Sequence, residues 1–176
     1  MLTSFCKKTH KKVPLSFIQR VFDVMKECPQ HVFQILTKRP RRMLELAPKL
    51  DWPSQIWAGT SVENNDYTWR IDELRNVPAE INFLSFEPLL GPIEKPDFEN
   101  IDWVIVGGES GHNARRMDPD WVLDVFAACR NQDVPFFFKQ WGAYGPDGKK
   151  RSKKENGREF KGETWDEMPE ELVKLS

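Results

Sequence analysis

Five short apolar runs constrain the fold more than any other feature of the sequence. Each is rich in β-branched or aromatic residues, and each ends in polar groups. They read HVFQILT, QIWAGTS, INFLSFE, WVIVGGE and FFFKQW. Continuous apolar runs of this length are typical of strands buried on both faces of a parallel sheet. We therefore predict five strands, which end near Thr37, Ser61, Glu87, Glu109 and Lys139.

Helical patterns separate most of these runs. The first, ahead of the first run, places Phe17, Val21, Val24 and Met25 on one face. The last opens with Asp118 as a capping residue and Pro119 in the first turn. Successive strand ends lie 22 to 30 residues apart, which is the length that a strand, its crossover helix and two connections need. This alternation predicts an α/β fold of parallel βα repeats.

The length of the chain limits how such a sheet can close. A complete (β/α)₈ barrel typically needs about 250 residues, whereas this chain has 176 and is predicted to begin with a helix. We expect a partial, roughly five-stranded TIM-barrel-like sheet over residues 1–145. Residues 146–176 are predicted to form a polar C-terminal extension packed on that domain, with TWDEMP as an anchoring turn.

Composition excludes several classes of protein. The formal net charge is −1, so no global field favours a polyanionic partner. No run approaches the roughly 20 apolar residues of a membrane span, and the N-terminus lacks the apolar core of a secretory signal. Cys6, Cys28 and Cys129 form no CxxC pair, and His10, His31 and His112 lack ligand spacing. We expect a soluble, cytoplasmic protein without a metal site of its own.

The predicted topology brings several polar groups to one edge. In parallel α/β folds, the loops that follow the strands build the ligand site. The candidate ligand-binding residues are Thr37, Lys38, Ser61, Glu63, Glu87, Gly107, Gly108, Glu109, Lys139 and Gln140. Arg39, Arg115 and Arg116 are candidate anion-binding residues, since guanidinium groups suit phosphate and carboxylate. The catalytic residues are not identified.

Each of these features also has a plain structural interpretation. GGESG lacks the spacing of a dinucleotide-binding or Walker loop, so it can be a flexible turn or a ligand cradle. Glu87, Lys38 and Lys139 can equally be solvent-facing charges at loop starts. The basic stretches KRPRR and KKRSKK can bind nucleic acid or simply be solvated.

The motifs at the strand ends resemble a known family. FQILTKRPRRM, IWAGTSVEN, FLSFEPLLGP, DWVIVGGESG, ARRMDPDWV, FFFKQWG and TWDEMP occur in that order, from about Val13 to Pro169. They resemble a bacteriophage and bacterial family of unknown function, the phage gp37-like proteins, which are similar to radical-SAM TIM-barrel proteins. The resemblance implies a site for S-adenosylmethionine. Glu87 and Glu109 would bind its amino group or ribose, and Lys139 and Gln140 its carboxylate or the substrate.

One part of the family pattern is missing. Relatives carry an upstream cysteine segment, ending in a CxxCY-type pair, that would hold a [4Fe–4S] cluster, whereas here SFCKKTHKKVP stands in that place. The resemblance therefore implies the C-terminal part of a radical-SAM-like barrel, inactive alone. S-adenosylmethionine and the cluster would be cofactors only if the cysteine-bearing half were supplied.

A non-enzymatic alternative stays open. A partial barrel exposes sheet edges that a protein partner or a second copy would cover. The chain would then be a protein-binding module of phage origin, for example an inhibitor of a host or defence protein. Nucleic-acid binding through the basic stretches is a weaker third hypothesis.

Overall fold

The core of the molecule is a parallel sheet whose strands follow one another in chain order. The computed structural model describes residues 2–4 and 13–169. Its strands are β1 Leu2–Ser4, β2 Phe33–Thr37, β3 Ile56–Ser61, β4 Asn82–Phe86, β5 Trp103–Gly107 and β6 Phe136–Gln140. The order is β1-β2-β3-β4-β5-β6, and every neighbouring pair is parallel. The predicted α/β class and its five strands are confirmed. The prediction that the chain begins with a helix is wrong, because β1 precedes it.

Helices fill most of the connections between strands. They are α1 Leu15–Lys26, α2 Pro40–Leu46, α3 Trp69–Leu74 and α4 Pro119–Asn131, whereas β4 and β5 are joined by a loop. Because the strand order never reverses, right-handed crossovers place these helices on one face of the sheet. This order is shared by open, singly wound sheets and by (β/α) barrels.

Both faces of the sheet are packed with apolar side chains. On the helical face, Leu84, Val104 and Phe136 belong to the largest core cluster. Side chains alternate between the two faces along each strand, so the residues between them form a second cluster on the opposite face: Trp57, Ile81, Phe83, Trp103 and Ile105. Burial on both faces explains why the strands read as continuous apolar runs.

The sequence predicts the start of α4 correctly, but it predicts the buried face of α1 only in part. At the start of α4, the side chain of Asp118 accepts a hydrogen bond from the Asp120 N–H at 3.0 Å, as its capping position predicts. On α1, however, the predicted buried face is wrong at Phe17 and Val24, which are exposed. The prediction holds at Met25, which is buried together with Phe22, a residue that the predicted face did not include.

The C-terminal segment covers the outer edge of β6. The Phe138 N–H donates to the Trp165 carbonyl at 2.9 Å, and Phe137 and Asp166 form an antiparallel bridge. The side chain of Glu167 accepts from the Phe136 N–H at 2.7 Å. Ahead of this segment lie the short helix α5 Lys153–Asn156 and a hairpin of β7 Glu159–Phe160 and β8 Glu163–Thr164. The extension thus supplies the pairing groups that an edge strand would otherwise leave open.

Within the described ranges 2–4 and 13–169, no helix combines the length and the apolar character that crossing a bilayer requires.

Candidate functional site

The predicted residues at the ends of β4, β5 and β6 lie in one row. Phe86 pairs with Val106, so Glu87 lies beside Gly107. On the other side Val106 pairs with Phe138 and Gly107 with Gln140, which leaves Lys139 as the extra residue of a bulge beside Gly107. Lys139 Nζ lies 2.9 Å from Glu87 Oε2. A Cβ at Gly107 would lie 3.3 Å from Glu87 Oε1. The glycine on the middle strand therefore leaves the room in which the two charged side chains meet.

This Glu87–Lys139 pair is only partly withdrawn from solvent. The Glu87 side chain is 22% exposed and that of Lys139 is 35% exposed. Within residues 13–169, no hydrogen-bond donor reaches Glu87 Oε1, and Lys139 Nζ uses one of its three donors. The pair thus offers a carboxylate oxygen to an ammonium or hydroxyl group, and an ammonium to an anionic group.

A second cluster of charges lies at the end of β3. One carboxylate oxygen of Glu63 pairs with Lys38, and the other accepts from Arg70 Nη1 at 2.9 Å. Arg70 Nη1 also donates to the Ser61 carbonyl at 2.7 Å. The structure therefore brings together the predicted residues Lys38, Ser61 and Glu63. Because both of its oxygens hold cations, Glu63 acts here as a clamp between β3, α3 and the end of β2.

Arg70 belongs to this cluster although the sequence analysis missed it. It lies on α3, and its side chain is 9% exposed. Arginines in short helices are mostly exposed, so composition gave no reason to single it out. The only sequence signal is its distance of seven residues from Glu63, across a 3₁₀ turn at Asn65–Tyr67.

Thr37 closes the turn between β2 and α2. Its hydroxyl accepts a hydrogen bond from the Arg39 N–H at 3.0 Å, and its carbonyl accepts from the Thr60 hydroxyl at 2.9 Å. The Arg39 side chain is exposed beside it. Thr37 thus holds the loop that presents Lys38 and Arg39.

The loop after β5 is held by an arginine fork. Arg115 Nε donates to Glu109 Oε2 at 2.8 Å, and Arg115 Nη2 donates to Oε1 at 2.9 Å. This hydrogen bonding with Glu109 raises the pKa of Arg115. An anion that bound Arg115 would have to compete with the Glu109 carboxylate. Arg116 lies apart from this fork, against Gly148 of the C-terminal extension.

Gly108 and Gln140 join β5 to β6 beside the Glu87–Lys139 pair. A Cβ at Gly108 would lie 1.9 Å from the Trp141 carbonyl oxygen, so close packing alone accounts for this glycine. Gln140 Nε2 donates to the Ser110 hydroxyl at 3.1 Å and to the Gly108 carbonyl at 3.3 Å. Its Oε1 atom is buried and has no partner among the residues that the structure describes. That oxygen is a buried acceptor on the residue that follows Lys139 in the chain.

The described cysteines do not suit an iron–sulfur cluster, which requires a group of thiolates. Cys28 is half-buried after α1, and Cys129 lies buried in α4, where burial raises its pKa to about 12. No three His, Cys, Asp or Glu side chains within residues 13–169 are grouped to hold a metal ion. Cys6 and His10 lie outside the described residues.

A cleft of about 450 Å³ lies away from these groups, between the start of α4, Trp141 and the β7–β8 hairpin. None of the predicted site residues lines it.

A family model described as "Protein of unknown function (DUF5131)" matches residues 1–169 of the chain. Searches of the curated proteins and of the solved structures found no match to the chain. The prediction of a family of unknown function is therefore confirmed, whereas none of these comparisons supports a phage gp37-like or radical-SAM resemblance.

Proposed function

The chain belongs to DUF5131, a family of proteins of unknown function, and we propose that it binds a small zwitterionic ligand of the S-adenosylmethionine class. The binding site is the Glu87–Lys139 pair with Gln140 beside it. The observation that carries this proposal is the partly exposed ion pair that meets above Gly107.

The two charges of the pair complement the two charges of an amino-acid group. The ligand ammonium would bind Glu87, whose Oε1 oxygen accepts no bond from residues 13–169, and its carboxylate would bind Lys139. Partly exposed ion pairs contribute only about 0–1 kcal/mol, so opening this one costs little.

The proposal covers binding and not radical chemistry. Reductive cleavage of S-adenosylmethionine needs an electron from an iron–sulfur cluster, and the described residues do not form a cluster site. Thiolates for such a reaction would have to come from a second, cysteine-bearing polypeptide. Iron in a co-purified pair, and none in the chain purified by itself, would support that extension.

Isothermal titration with S-adenosylmethionine, methionine and adenosine tests the binding proposal. We expect S-adenosylmethionine and methionine to bind, and Glu87→Gln and Lys139→Met to weaken both by about tenfold or more. Lys26 and Asp51 form a comparable ion pair elsewhere on the surface, so Lys26→Met and Asp51→Asn are matched controls that should leave binding unchanged. Binding that is absent, or equal in all four variants, would show that the pair is not a ligand site.

The protein-binding alternative is favoured by a different observation, the outer edge of β1. Among the described residues, β1 pairs only with β2, whereas the opposite edge of the sheet is covered by residues 165–167. A partner strand or a second copy of the chain could add to β1. Light scattering tests whether a second copy binds this edge, because a monodisperse monomer at all concentrations would rule out a homodimer. A bacteriophage origin and a cytoplasmic location remain predictions from the sequence.

A further inference from the structure

We infer that the surface formed by Lys38, Arg39, Arg41, Tyr67 and Trp69 binds single-stranded nucleic acid. It lies beyond the ends of β2 and β3, and the inference does not depend on the proposed small-ligand site. In the sequence, nucleic-acid binding is indicated by the basic stretches alone. The structure adds two aromatic rings to the first basic stretch.

Tyr67, at the end of the 3₁₀ turn, and Trp69, at the start of α3, are exposed although α3 has a buried face. The Trp69 residue is 43% exposed and Tyr67 is 37% exposed, whereas Ile71 and Leu74 of α3 are buried. Other exposed large apolar residues, namely Phe17, Val24, Leu123 and Met168, belong to other elements of the chain. Tyr67 and Trp69 are thus the two exposed large apolar residues of the turn and helix that span 65–74.

The guanidinium group of Arg70 lies close to both rings. The Cζ atom of Arg70 lies 4.2 Å from the centroid of the Tyr67 ring and 5.7 Å from that of Trp69. Arg70 is itself fixed by Ser61 and Glu63. Rings placed on a buried, hydrogen-bonded cation lose little further freedom when a base stacks on them.

An exposed cation lies beside the Trp69 ring, and two more precede it on the loop after β2. The Cζ atom of Arg41 is 5.7 Å from the Trp69 ring centroid, and the Arg41 side chain is 69% exposed while it donates to Glu73. Lys38 is 40% exposed, and Arg39 forms no ion pair within residues 13–169. These cations can contact phosphates of a strand whose bases stack on Tyr67 and Trp69.

This combination favours single strands over other anionic partners. Aromatic rings beside a basic groove bind unpaired bases, whereas the bases of a duplex already stack on each other. An anionic membrane would require an apolar face to insert. Here Asn64, Asn65 and Asp66 precede the rings instead.

Fluorescence anisotropy with labelled oligouridylate and oligoadenylate of about 12 nucleotides tests the inference. At about 50 mM salt we expect micromolar binding that weakens steeply as salt rises. Trp69→Ala should weaken it by about tenfold, Trp69→Phe should retain most of it, and Arg41→Ala should weaken it and lower the salt dependence. Leu123→Ala and Lys49→Ala, at exposed positions elsewhere, are the matched controls and should bind as the unmodified protein does.

Three results would overturn the inference. They are equal affinity of Trp69→Ala and the unmodified protein, equal or tighter binding to a duplex of the same sequence, and no binding at low salt. Binding to phosphatidylserine vesicles that depends on Trp69, without binding to the oligonucleotides, would assign the surface to membranes instead. Circular dichroism of each variant separates loss of binding from loss of folding.

Discussion

Gly107 and Gly108 are adjacent in the chain, yet the structure requires them for different reasons. A Cβ at Gly107 would meet the end of a flexible side chain, Glu87 Oε1, at 3.3 Å. A Cβ at Gly108 would meet backbone, the Trp141 carbonyl oxygen, at 1.9 Å. The first glycine makes room for the candidate site, and the second makes room for the contact between β5 and the end of β6.

We therefore predict unequal effects of the two alanine substitutions. Gly108→Ala should lower the free energy of unfolding by about 3 kcal/mol, because strand backbone must move. Gly107→Ala should lower it by about 1 kcal/mol or less, since the Glu87 carboxylate can shift. Urea denaturation followed by tryptophan fluorescence measures both. Equal losses would contradict the assigned contacts.

At the scale of residues, sequence reasoning predicted the shared edge but not the pairs within it. Parallel strands all end at one edge, so their terminal polar residues are neighbours whatever the details of packing. Which carboxylate meets which lysine depends on strand register. Lys139 is the extra residue where the β5–β6 register shifts at Gly107, and it meets Glu87 there; such a shift cannot be read from the spacing of the apolar runs. The place of Arg70 in the site could not be predicted for a related reason, because its burial depends on Glu63 being folded against it.

At the level of secondary-structure elements, the C-terminal segment is the part whose structure adds most to the expectation from the sequence. The sequence predicted a polar extension with a small anchor at TWDEMP. The structure pairs that anchor with β6 through Trp165 and Asp166, and its Trp165 ring packs 4.6 Å from the Phe126 ring, centroid to centroid. The polar composition of the segment did not indicate this role, because backbone pairing does not require a particular type of side chain.

Glu167 should make this segment sensitive to acid. Burial alone would raise the pKa of Glu167, but hydrogen bonds from Arg130 and the Phe136 N–H outweigh it and hold that pKa below the usual 4.5. A lowered folded-state pKa gives stability that is present above pH 4.5 and lost as the pH falls through the folded value. Glu167→Gln should therefore cost about 1 kcal/mol at neutral pH, and the difference should shrink below about pH 4.

Thermal unfolding of both proteins from neutral to acidic pH measures this difference. Glu163→Gln is a suitable control, because Glu163 is exposed in β8 and should show no such dependence. A Glu167→Gln effect that stayed constant down to about pH 3 would show that the carboxylate charge is not its cause.

The helices show why an amphipathic pattern does not identify its own buried face. On α1, Phe17, Val21 and Val24 form one apolar stripe, and Ile18, Phe22 and Met25 form another, rotated by one residue. Both satisfy helical periodicity. The structure packs Val21 and Met25 of the predicted face against the sheet together with Ile18 and Phe22, and leaves Phe17 and Val24 exposed. Capping signals were more informative, because Asp118 and Pro119 act locally and need no tertiary partner.

For the whole molecule, the strand order and the two packed faces are the main result. The regular spacing of apolar runs predicted the parallel order, and the structure added β1 at one edge. What the runs could not predict is how the face opposite the helices is filled. There, the ring of Trp103 packs 6.1 Å from that of Trp57 and 5.9 Å from that of Phe83, measured between centroids. Large aromatic side chains thus fill this face of the sheet.

Gly59 permits this packing, because the Phe83 ring from the neighbouring strand lies over it. A Cβ at Gly59 would lie 2.3 Å from Phe83 Cζ. Gly59→Ala alone should cost about 3 kcal/mol, and Phe83→Leu alone should cost about 1–3 kcal/mol by leaving space. In the double variant the new methyl group enters the space that the ring vacates. The double loss should then fall short of the sum of the single losses by about 1–3 kcal/mol.

Urea unfolding of the four proteins of this cycle gives the coupling energy. The matched cycle pairs Gly59→Ala with Phe126→Leu, which lies on α4 in the cluster of the helical face. Those two losses should add to within about 0.5 kcal/mol, because the sites share no partner. Additivity in both cycles would mean that the Phe83 ring does not cover Gly59, and the face opposite the helices would then have to be packed in another way.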